Sequence, residues 1–184
     1  MGGEFFMRRD ADEILQMTHD MGFAIKLKTT GHHIHDKRAD FLGSIRPLQV
    51  DLSVYGSNPE LHEEVTRHPG SFKRTMDAAR RLIDRKIIVK FNSVVTQLNM
   101  VDTLEIEALA EEMGAQFGRD PKITTMTNGD DQPISLRMNE EALHHFYQEM
   151  MATHLGEHYE GWSAGHAPSL EATPCRAGQE ACHI

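Results

Sequence analysis

The chain has 184 residues, 39% hydrophobic and 26% charged, which is typical of a soluble globular protein and excludes a disordered one. Its formal net charge of −9 argues against nucleic acid as a partner, because phosphate binding needs a basic surface. No apolar run approaches the roughly 20 residues of a membrane span and no signal-peptide pattern opens the chain, so we expect a cytoplasmic protein with no membrane partner. Two cysteines, Cys175 and Cys182, are too few for a disulfide framework.

Helical and strand patterns alternate along the chain. The predicted helices cover residues 10–21, 35–42, 71–85, 101–113 and 139–155. The predicted strands cover residues 23–30, 48–55, 87–95, 115–117 and 123–127, the last two separated by a Gly-Arg-Asp-Pro turn. Strand–helix–strand succession favours parallel strands joined by right-handed crossovers, so we expect an α/β fold. We expect this domain to occupy residues 1–156, with a loop-rich appendage at 157–184.

The predicted strands carry apolar side chains on one face and polar side chains on the other. In strand 48–55, the apolar Leu48, Val50, Leu52 and Val54 alternate with Gln49, Asp51, Ser53 and Tyr55. Strands 23–30, beginning with Phe23, and 87–95 alternate in the same way. A doubly wound sheet would instead show continuous apolar runs. We therefore expect a partial or complete β/α barrel whose concave face holds a polar ligand, with solvated edge strands as the alternative.

Polar residues at the strand ends form the candidate site. Gly2 and Gly3 lack a Cβ and let the backbone approach a ligand closely, and the carboxylate of Glu4 offers an acceptor for an ammonium group. The other candidates lie at or near the ends of successive strands: Thr30, Ser53, Tyr55 and Asn92. Ligands bind at the carboxyl ends of strands in α/β folds. These groups suit a ligand with an amino acid end and a ribose, and none is an obvious nucleophile, so a cofactor would supply the chemistry.

These motifs resemble those of radical S-adenosylmethionine (SAM) enzymes with a C-terminal SPASM extension. Gly2-Gly3-Glu4 is similar to the family motif that binds the SAM amino group. Lys28-Thr29-Thr30-Gly31 resembles the third-strand segment, with Thr30 in place of the usual Asn. Asp51-Leu52-Ser53-Val54-Tyr55-Gly56 resembles the fourth-strand element, where Ser53 would contact the SAM ribose or carboxylate. Asn92 and Asn99 match the fifth-strand region near the adenosine moiety.

The resemblance implies a fold, cofactors and partners. The fold would be a partial (β/α) barrel of the radical SAM type. A reduced [4Fe–4S] cluster would cleave SAM to a 5′-deoxyadenosyl radical that abstracts hydrogen from the substrate. SPASM members often act on peptides or proteins, so the expected partners are such a substrate and a reductant such as flavodoxin or ferredoxin. The segment Pro174-Cys175-Arg176-Ala177-Gly178 resembles the opening of SPASM, where Cys175 would be the first ligand of an auxiliary cluster.

One family motif is not found in this sequence. Family members hold the catalytic cluster through Cys-x-x-x-Cys-x-x-Cys, upstream of Gly-Gly-Glu, whereas this chain starts at Gly-Gly-Glu. Cluster ligation needs several thiolates at fixed spacing. We therefore expect the barrel to be incomplete at its N-terminus, and the 184 residues alone to retain SAM contacts without radical chemistry.

Two other functions stay open from the sequence. The first is a non-catalytic module that binds SAM or a peptide. The second is a barrel enzyme that works without a cluster, for which Lys28 or Lys90 with Asp51 is the only candidate acid–base pair.

The twelve histidines also raise a metal hypothesis. His32, His33 and His35 follow a strand end, and His154 and His158 are one helical turn apart, a spacing that can bind zinc. The usual third ligand and second shell cannot be identified from the sequence, so surface or loop histidines are the preferred interpretation, although His32 and His33 could still approach the substrate side.

Overall fold

Four parallel strands form one sheet. They are β1 (Lys26–Thr29), β2 (Gln49–Ser53), β3 (Val89–Val94) and β4 (Gln116–Asp120). Their order in the sheet is β1-β2-β3-β4, and every neighbouring pair is parallel. Helical segments connect consecutive strands, which is the arrangement of part of a β/α barrel. The predicted α/β class with parallel strands is therefore confirmed.

The computed structural model describes residues 3–125, 129 and 131–155, excluding the side chains of 154 and 155. Its contacts divide the chain into two units, Met1–Asn139 and Glu140–Ile184. Gly2 and Cys175, both predicted site residues, lie outside the described part, as does the predicted SPASM segment 157–184.

Six α-helices are described. They are α1 (Ala11–Asp20), α2 (Asp36–Ile45), α3 (Pro59–Thr66), α4 (Ser71–Asp84), α5 (Thr103–Met113) and, in the second unit, α6 (Glu140–Leu155). Short 3₁₀ helices cover Phe5–Met7, Met100–Asp102 and Gln132–Leu136. No helix among these residues is both long and apolar enough to cross a membrane.

Helix α3 was not predicted from the sequence, although its start carries clear signals. The Asn58 side chain accepts a hydrogen bond from the Leu61 amide at 3.0 Å, which satisfies an amide that has no partner within the helix. Pro59 follows in the first helical position, where its missing N–H is not needed. This helix matters because it borders the site described below.

The hydrophobic core lies on the face of the sheet that the sequence pattern predicts as apolar. Val50, Leu52 and Phe91 are fully buried there, together with Ala79 and Leu82 of α4. Burying one such large apolar side chain is worth about 1.5–3 kcal/mol. The helix-facing side of the sheet therefore supplies the stability, and the opposite face is left free to carry polar groups.

The strands are shorter than predicted at their N-terminal ends. β1 begins at Lys26 and β2 at Gln49, so Phe23 and Leu48 precede the strands and are 61% and 60% exposed rather than in the core. Asp51, predicted on the polar face, is buried. Its carboxylate accepts a hydrogen bond from Gln49 and lies 3.6 Å from the Lys26 ammonium.

The end of the sheet also differs from the sequence prediction. Residues 118–120, predicted as a turn, belong to β4, and residues 123–125 form no strand. β4 extends because its pairing with β3 continues to Val94 and Asp120, and the Val95 amide then donates to the Asp120 carbonyl at 2.9 Å.

Candidate functional site

A pocket of about 730 Å³ lies at the carboxyl ends of β1, β2 and β3. Four predicted site residues line it, namely Glu4, Thr30, Ser53 and Tyr55. Met7 precedes β1 and Val94 ends β3. The remaining lining residues come from the segments that follow the strands: His32, His33, His62, Val65, Thr66, His68, Thr75, Thr96, Ile123, Pro133 and Leu136. The parallel sheet explains this convergence, because it brings the ends of all its strands to one edge.

Glu4 is held in place by hydrogen bonds from the end of β1. One carboxylate oxygen, Oε1, accepts from the Thr29 hydroxyl at 2.6 Å and from the Phe6 amide at 3.3 Å. The other, Oε2, accepts from the amide and the hydroxyl of Thr30, both at 2.8 Å. A carboxylate has about four acceptor positions, so these contacts fix the orientation of the whole group.

The same contacts keep Glu4 ionised. Burial acts to raise its pKa, but the hydrogen bonds from Thr29, Thr30 and Phe6 together outweigh burial and hold the pKa below its usual value. The site therefore presents a fixed negative charge at the pocket wall. An ionised carboxylate of this kind can accept charge-assisted hydrogen bonds from an ammonium group.

The end of β1 is fixed from the α4 side. The Thr75 hydroxyl donates to the Thr30 carbonyl at 2.9 Å. Gly31 follows with φ of +82°, and a Cβ at this position would lie 3.0 Å from the Cβ of Ala78. The left-handed backbone and the close helix both favour glycine here. Thr30 is therefore presented to Glu4 by a turn that has little freedom to move.

The turn after β2 is held by His62 of α3. This side chain is 1% exposed, and its Nδ1 accepts a hydrogen bond from the Tyr55 amide at 3.2 Å. The ring packs against Tyr55 and against Phe72. Burial, reinforced by the nearby His32, lowers the pKa of His62 to about 4. It is therefore a neutral imidazole with its proton on Nε2.

Gly56 lets α3 approach this turn. A Cβ at Gly56 would lie 2.6 Å from the backbone nitrogen of His62 and 3.0 Å from the Leu61 Cβ. The close approach of α3 therefore explains why a glycine ends the Ser53-Val54-Tyr55-Gly56 segment.

Hydrogen bonds of Asn99 join the turn after β2 to the end of β3. The Asn99 side-chain oxygen accepts from the Thr96 amide at 2.7 Å, and its nitrogen donates to the carbonyls of Tyr55 and Val94, both at 3.2 Å. Asn99 is fully buried. The structure therefore gives this residue a positioning role between two strand ends.

Histidines form a different wall of the pocket. The rings of His32 and His68 meet edge to face with centroids 5.5 Å apart. Behind them, Nη2 of Arg74 lies 2.8 Å from Nδ1 of His68. Burial lowers the pKa of His32, with further lowering from Arg74 and His68, while Glu4 acts in the opposite direction.

Not every predicted site residue reaches the pocket. Asn92 pairs in register with Ser53 and so shares its face of the sheet, but it does not line the pocket. Gly3 is exposed, and a Cβ there would meet nothing within 4 Å. Among the described residues, Asp51 forms no ion pair with Lys28 or Lys90, which gives the acid–base pair hypothesis no support.

The metal hypothesis also finds no support in the described part of the chain. No group of three or more His, Cys, Asp or Glu is placed there to hold a metal ion. His35 instead caps α2, accepting a hydrogen bond from the Arg38 amide. His158 and the side chain of His154 lie outside the described residues.

Two contributors to the site were missed in the sequence. Thr29 alternates onto the opposite face from Thr30, yet both reach Glu4 because they end the strand beside it. His62 depends on α3, which was not predicted; the Asn58-Pro59 start signal would have placed it one turn into a helix.

Comparison with protein families identifies the class of this site. Residues 1–113, which contain the Glu4 wall, the β2 turn and α3, match the model of the radical SAM superfamily. The chain belongs to the radical SAM superfamily. Members of this superfamily use SAM together with a [4Fe–4S] cluster.

Two kinds of enzyme are similar to this chain in sequence. PqqA peptide cyclase from Ruegeria pomeroyi is 30% identical over 115 residues, which cover 62% of this chain and 31% of that protein. AdoMet-dependent heme synthase from Methanosarcina barkeri is 27% identical over 148 residues, which cover 80% of this chain and 42% of that protein. This radical SAM chain thus spans less than half the length of either relative.

A solved structure shares the fold. Streptococcus suis SuiB bound to S-adenosylmethionine matches with a TM-score of 0.65 and 16% identity, over 83% of this chain and 33% of SuiB. The complex of SuiB with the precursor peptide SuiA matches with a TM-score of 0.69, at 16% identity over 83% of this chain and 34% of SuiB. The similarity supports the assignment of the sheet as part of a radical SAM barrel.

The described residues fit one of the two cofactors. The oriented Glu4 carboxylate and the hydroxyls of Thr30 and Ser53 at a pocket wall match the amino and hydroxyl groups of SAM. Residues 3–155 contain no cysteine, so the described part of the chain offers no thiolate for a cluster.

Proposed function

We propose that this radical SAM chain binds SAM in the strand-end pocket, with the SAM ammonium on Glu4 and with Thr30, Ser53 and Tyr55 around it. The observation that carries the proposal is the ionised Glu4 carboxylate, fixed by Thr29 and Thr30 at the pocket wall. Gly2, Gly3 and Asn92 enter the proposal through the family motifs alone.

In the whole protein, we propose that the bound SAM serves radical chemistry on a peptide or protein. The cluster would reduce SAM, and these residues would hold and orient it. Similarity to PqqA peptide cyclase and to SuiB, solved with a precursor peptide, supports this substrate class. The proposal includes Cys175 as an auxiliary-cluster ligand, a flavodoxin or ferredoxin as reductant, and a cytoplasmic location.

Binding of SAM to the 184-residue chain, measured by isothermal titration calorimetry, tests the site. Glu4→Gln removes the charge and should weaken SAM binding about 10- to 100-fold, since a hydrogen bond to a charged group contributes about 1.5–3 kcal/mol. Glu13→Gln on the exposed surface of α1 is the matched control and should bind SAM like the wild type. Equal affinities in the two variants would place the ammonium elsewhere.

We expect the 184-residue chain to bind SAM without cleaving it. With SAM, dithionite, iron and sulfide under anaerobic conditions, the 184 residues should give no 5′-deoxyadenosine, because two cysteines cannot supply three cluster ligands. Production above a reagent blank would refute this expectation. A non-catalytic SAM-binding module predicts the same result here, and cluster-loaded protein containing the three-cysteine loop distinguishes the two functions.

A further inference from the structure

Two lysines flank Asp51 on the polar face of the sheet, opposite the helix-packed core. Lys28 of β1 and Lys90 of β3 are the register partners of Asp51 on β2. We call these three residues the lysine row. Register partners share a face of the sheet, and Asp51 lies two residues before Ser53, which lines the strand-end pocket. None of the three lines that pocket, so the lysine row is a separate feature of the same face.

The lysine row has more positive than negative charge. The Asp51 carboxylate lies 3.6 Å from the ammonium of Lys26 and accepts a hydrogen bond from Gln49. Among the residues that the structure describes, neither Lys28 nor Lys90 has a carboxylate within 4.0 Å. Asp51 is therefore engaged with Lys26, and the charges of the two lysines beside it are not compensated by a described carboxylate.

Lys90 differs from Lys28 because its side chain lies against the neighbouring strand. A Cβ at Gly118 of β4 would overlap the Cε of Lys90 and lie 2.5 Å from its Nζ. Gly118 does not have a positive φ, so its backbone conformation does not require glycine. The missing side chain at Gly118 instead makes room for the end of Lys90.

This contact brings the ammonium of Lys90 to the level of the pocket. Gly118 is the register partner of Asn92, and Asn92 is the partner of Ser53. The same Cβ position at Gly118 lies 3.6 Å from Oδ1 of Asn92, so the ammonium and this amide oxygen border one space. Lys90 thus presents its charge on the β4 side of the strand ends, whereas Glu4 lies on the β1 side.

The ammonium of Lys90 is suited to an anionic ligand. Lys90 is half-buried, and a charge that is partly removed from water is costly unless it is paired. Asp120, two residues after Gly118, does not pair with it; its Oδ1 accepts from the Lys122 amide at 2.9 Å. An ammonium has three donors and no acceptor, so a ligand carboxylate would complete its contacts.

The position of Lys90 excludes the carboxylate of SAM as that ligand. One carbon of SAM carries both the ammonium and the carboxylate, so a carboxylate whose ammonium binds Glu4 stays beside β1. Gly118 on β4 is three strand spacings from β1, about 14 Å along the sheet. A carboxylate at Lys90 therefore belongs to a second ligand.

We infer that Lys90, held over Gly118, binds a carboxylate of the second substrate and so favours acidic peptides. The inference rests on the proposed function for the substrate class, a peptide or protein. A peptide has two sources of such a group, an Asp or Glu side chain and the C-terminus. The ammonium would donate a charge-assisted hydrogen bond to either one and hold the peptide beside the cofactor pocket.

NMR of the 184-residue chain with ¹³C-labelled lysines tests this inference. The Lys90 Cε signal, assigned by its loss in Lys90→Met, is followed during titration with N-acetylglutamate amide, N-acetylglycine and the neutral N-acetylglutamine amide. At least one acidic probe should shift the Lys90 signal, and the neutral probe should not. Affinity for that acidic probe, measured from the Gly118 amide signal, should fall about fivefold or more in Lys90→Met, because a charge-assisted contact is lost.

Lys28→Met is the matched control, since it removes an exposed lysine from the same row. It should leave the affinity nearly unchanged, because salt screens an exposed charge. Gly118→Ala keeps Lys90 but displaces its ammonium, and should weaken binding of the acidic probe as well. The inference is overturned if neither acidic probe shifts the Lys90 signal, if the neutral probe shifts it equally, or if Lys90→Met and Lys28→Met respond alike. Unchanged affinity in Gly118→Ala would also contradict it.

Repeating the titration in saturating SAM separates this site from that of the cofactor. The shift caused by the acidic probe should persist; if SAM abolishes it, or produces it alone, Lys90 serves the cofactor and the inference is wrong. A stronger response to N-acetylglutamate amide identifies a side-chain carboxylate, and a stronger response to N-acetylglycine identifies a C-terminal one. Because the probes need no SAM, this test can succeed or fail independently of the Glu4→Gln experiment.

Discussion

The two charged walls of the pocket are built in opposite ways. Around Glu4, four donors of the chain already surround the charge, so the carboxylate is oriented before any ligand arrives. The opposite wall, which we call the basic wall, is formed by His32 and His68 with Arg74 behind them. There, Arg74 contacts an imidazole and a carbonyl but, among the described residues, no carboxylate. Local hydrogen bonds therefore order the acidic wall around its charge, whereas no carboxylate of the described residues pairs with Arg74 on the basic wall.

His62 gives the largest expected effect, because it supports the β2 turn between the two walls. Its pKa falls from 6.5 to about 4 on folding, so the unfolded chain binds a proton first as the pH drops. Its contribution to stability is complete above pH 6.5 and is lost as the pH falls towards 4. Urea unfolding at pH 7 and pH 4.5 should show about 2–3 kcal/mol of pH-dependent stability from this residue.

His62→Asn keeps an acceptor near the Tyr55 amide but cannot titrate. The variant should be less stable at pH 7 and should lose that part of the pH dependence. If it keeps the full wild-type pH dependence, the buried imidazole is not its source.

Gly56→Ala should separate the walls by displacing α3. The added Cβ would meet the His62 backbone at 2.6 Å, and such overpacking costs about 1–3 kcal/mol in unfolding experiments. Gly43→Ala in α2 is the control, because its nearest neighbour would lie at 3.6 Å. It should be neutral or stabilising by up to about 1 kcal/mol, since alanine favours helices. Equal losses in the two variants would contradict the steric role of Gly56.

Thr29→Val should weaken the acidic wall and the turn behind it, because the Thr29 hydroxyl also accepts a hydrogen bond from the Gly31 amide at 3.1 Å. It removes a buried hydroxyl that donates to Glu4 at 2.6 Å and should cost about 1–3 kcal/mol in unfolding free energy. The Glu4 pKa should rise towards its ordinary value. Because its folded pKa is lowered, ionised Glu4 stabilises the folded protein above its ordinary pKa, and this stabilisation is lost as the pH falls through the folded pKa. In the variant this pH-dependent part of the unfolding free energy should be smaller. Thr18→Val, whose hydroxyl bonds only within α1, is the control, and an equal loss of stability in the two variants would contradict the role of the Thr29 hydroxyl.

The smallest effect is expected for alanine substitutions of Ser53 and Asn92, which pair in register on β2 and β3. Ser53 lines the pocket and Asn92, its register partner, does not. Ser53→Ala should weaken SAM binding by about five- to tenfold, the worth of one neutral hydrogen bond, and Asn92→Ala should weaken it less. If calorimetry shows a larger loss of SAM affinity for Asn92→Ala than for Ser53→Ala, the adenosine part of SAM lies closer to Asn92 than the pocket lining indicates.

The sequence pointed to the residues of the acidic wall but not to the contact of His68 with Arg74 on the basic wall. Strand ends are visible as short alternating runs, and parallel strands bring such ends together, which is why Glu4, Thr30 and Ser53 line one pocket. Thr29 was not predicted, because strict alternation places it on the helix side. Strand limits were also overestimated at Phe23 and Leu48, whose side chains are exposed, although the Leu48 amide still donates to the Ile25 carbonyl at 2.7 Å.

The basic wall depends on long-range packing, which a pattern does not contain. His32 and His68 are 36 positions apart, and their contact requires the turn at Gly31 and the unpredicted helix α3. Arg74 looks like an ordinary surface arginine of an amphipathic helix. Only the packed structure shows that Arg74 contacts His68 and the Pro69 carbonyl and no carboxylate of the described residues.

Two consecutive residues of α4 connect the walls. Thr75 donates to the Thr30 carbonyl beside Glu4, and Arg74 donates to His68. Neighbouring Cα atoms across a trans peptide are about 3.8 Å apart, so a displacement of α4 would carry both walls of the pocket with it.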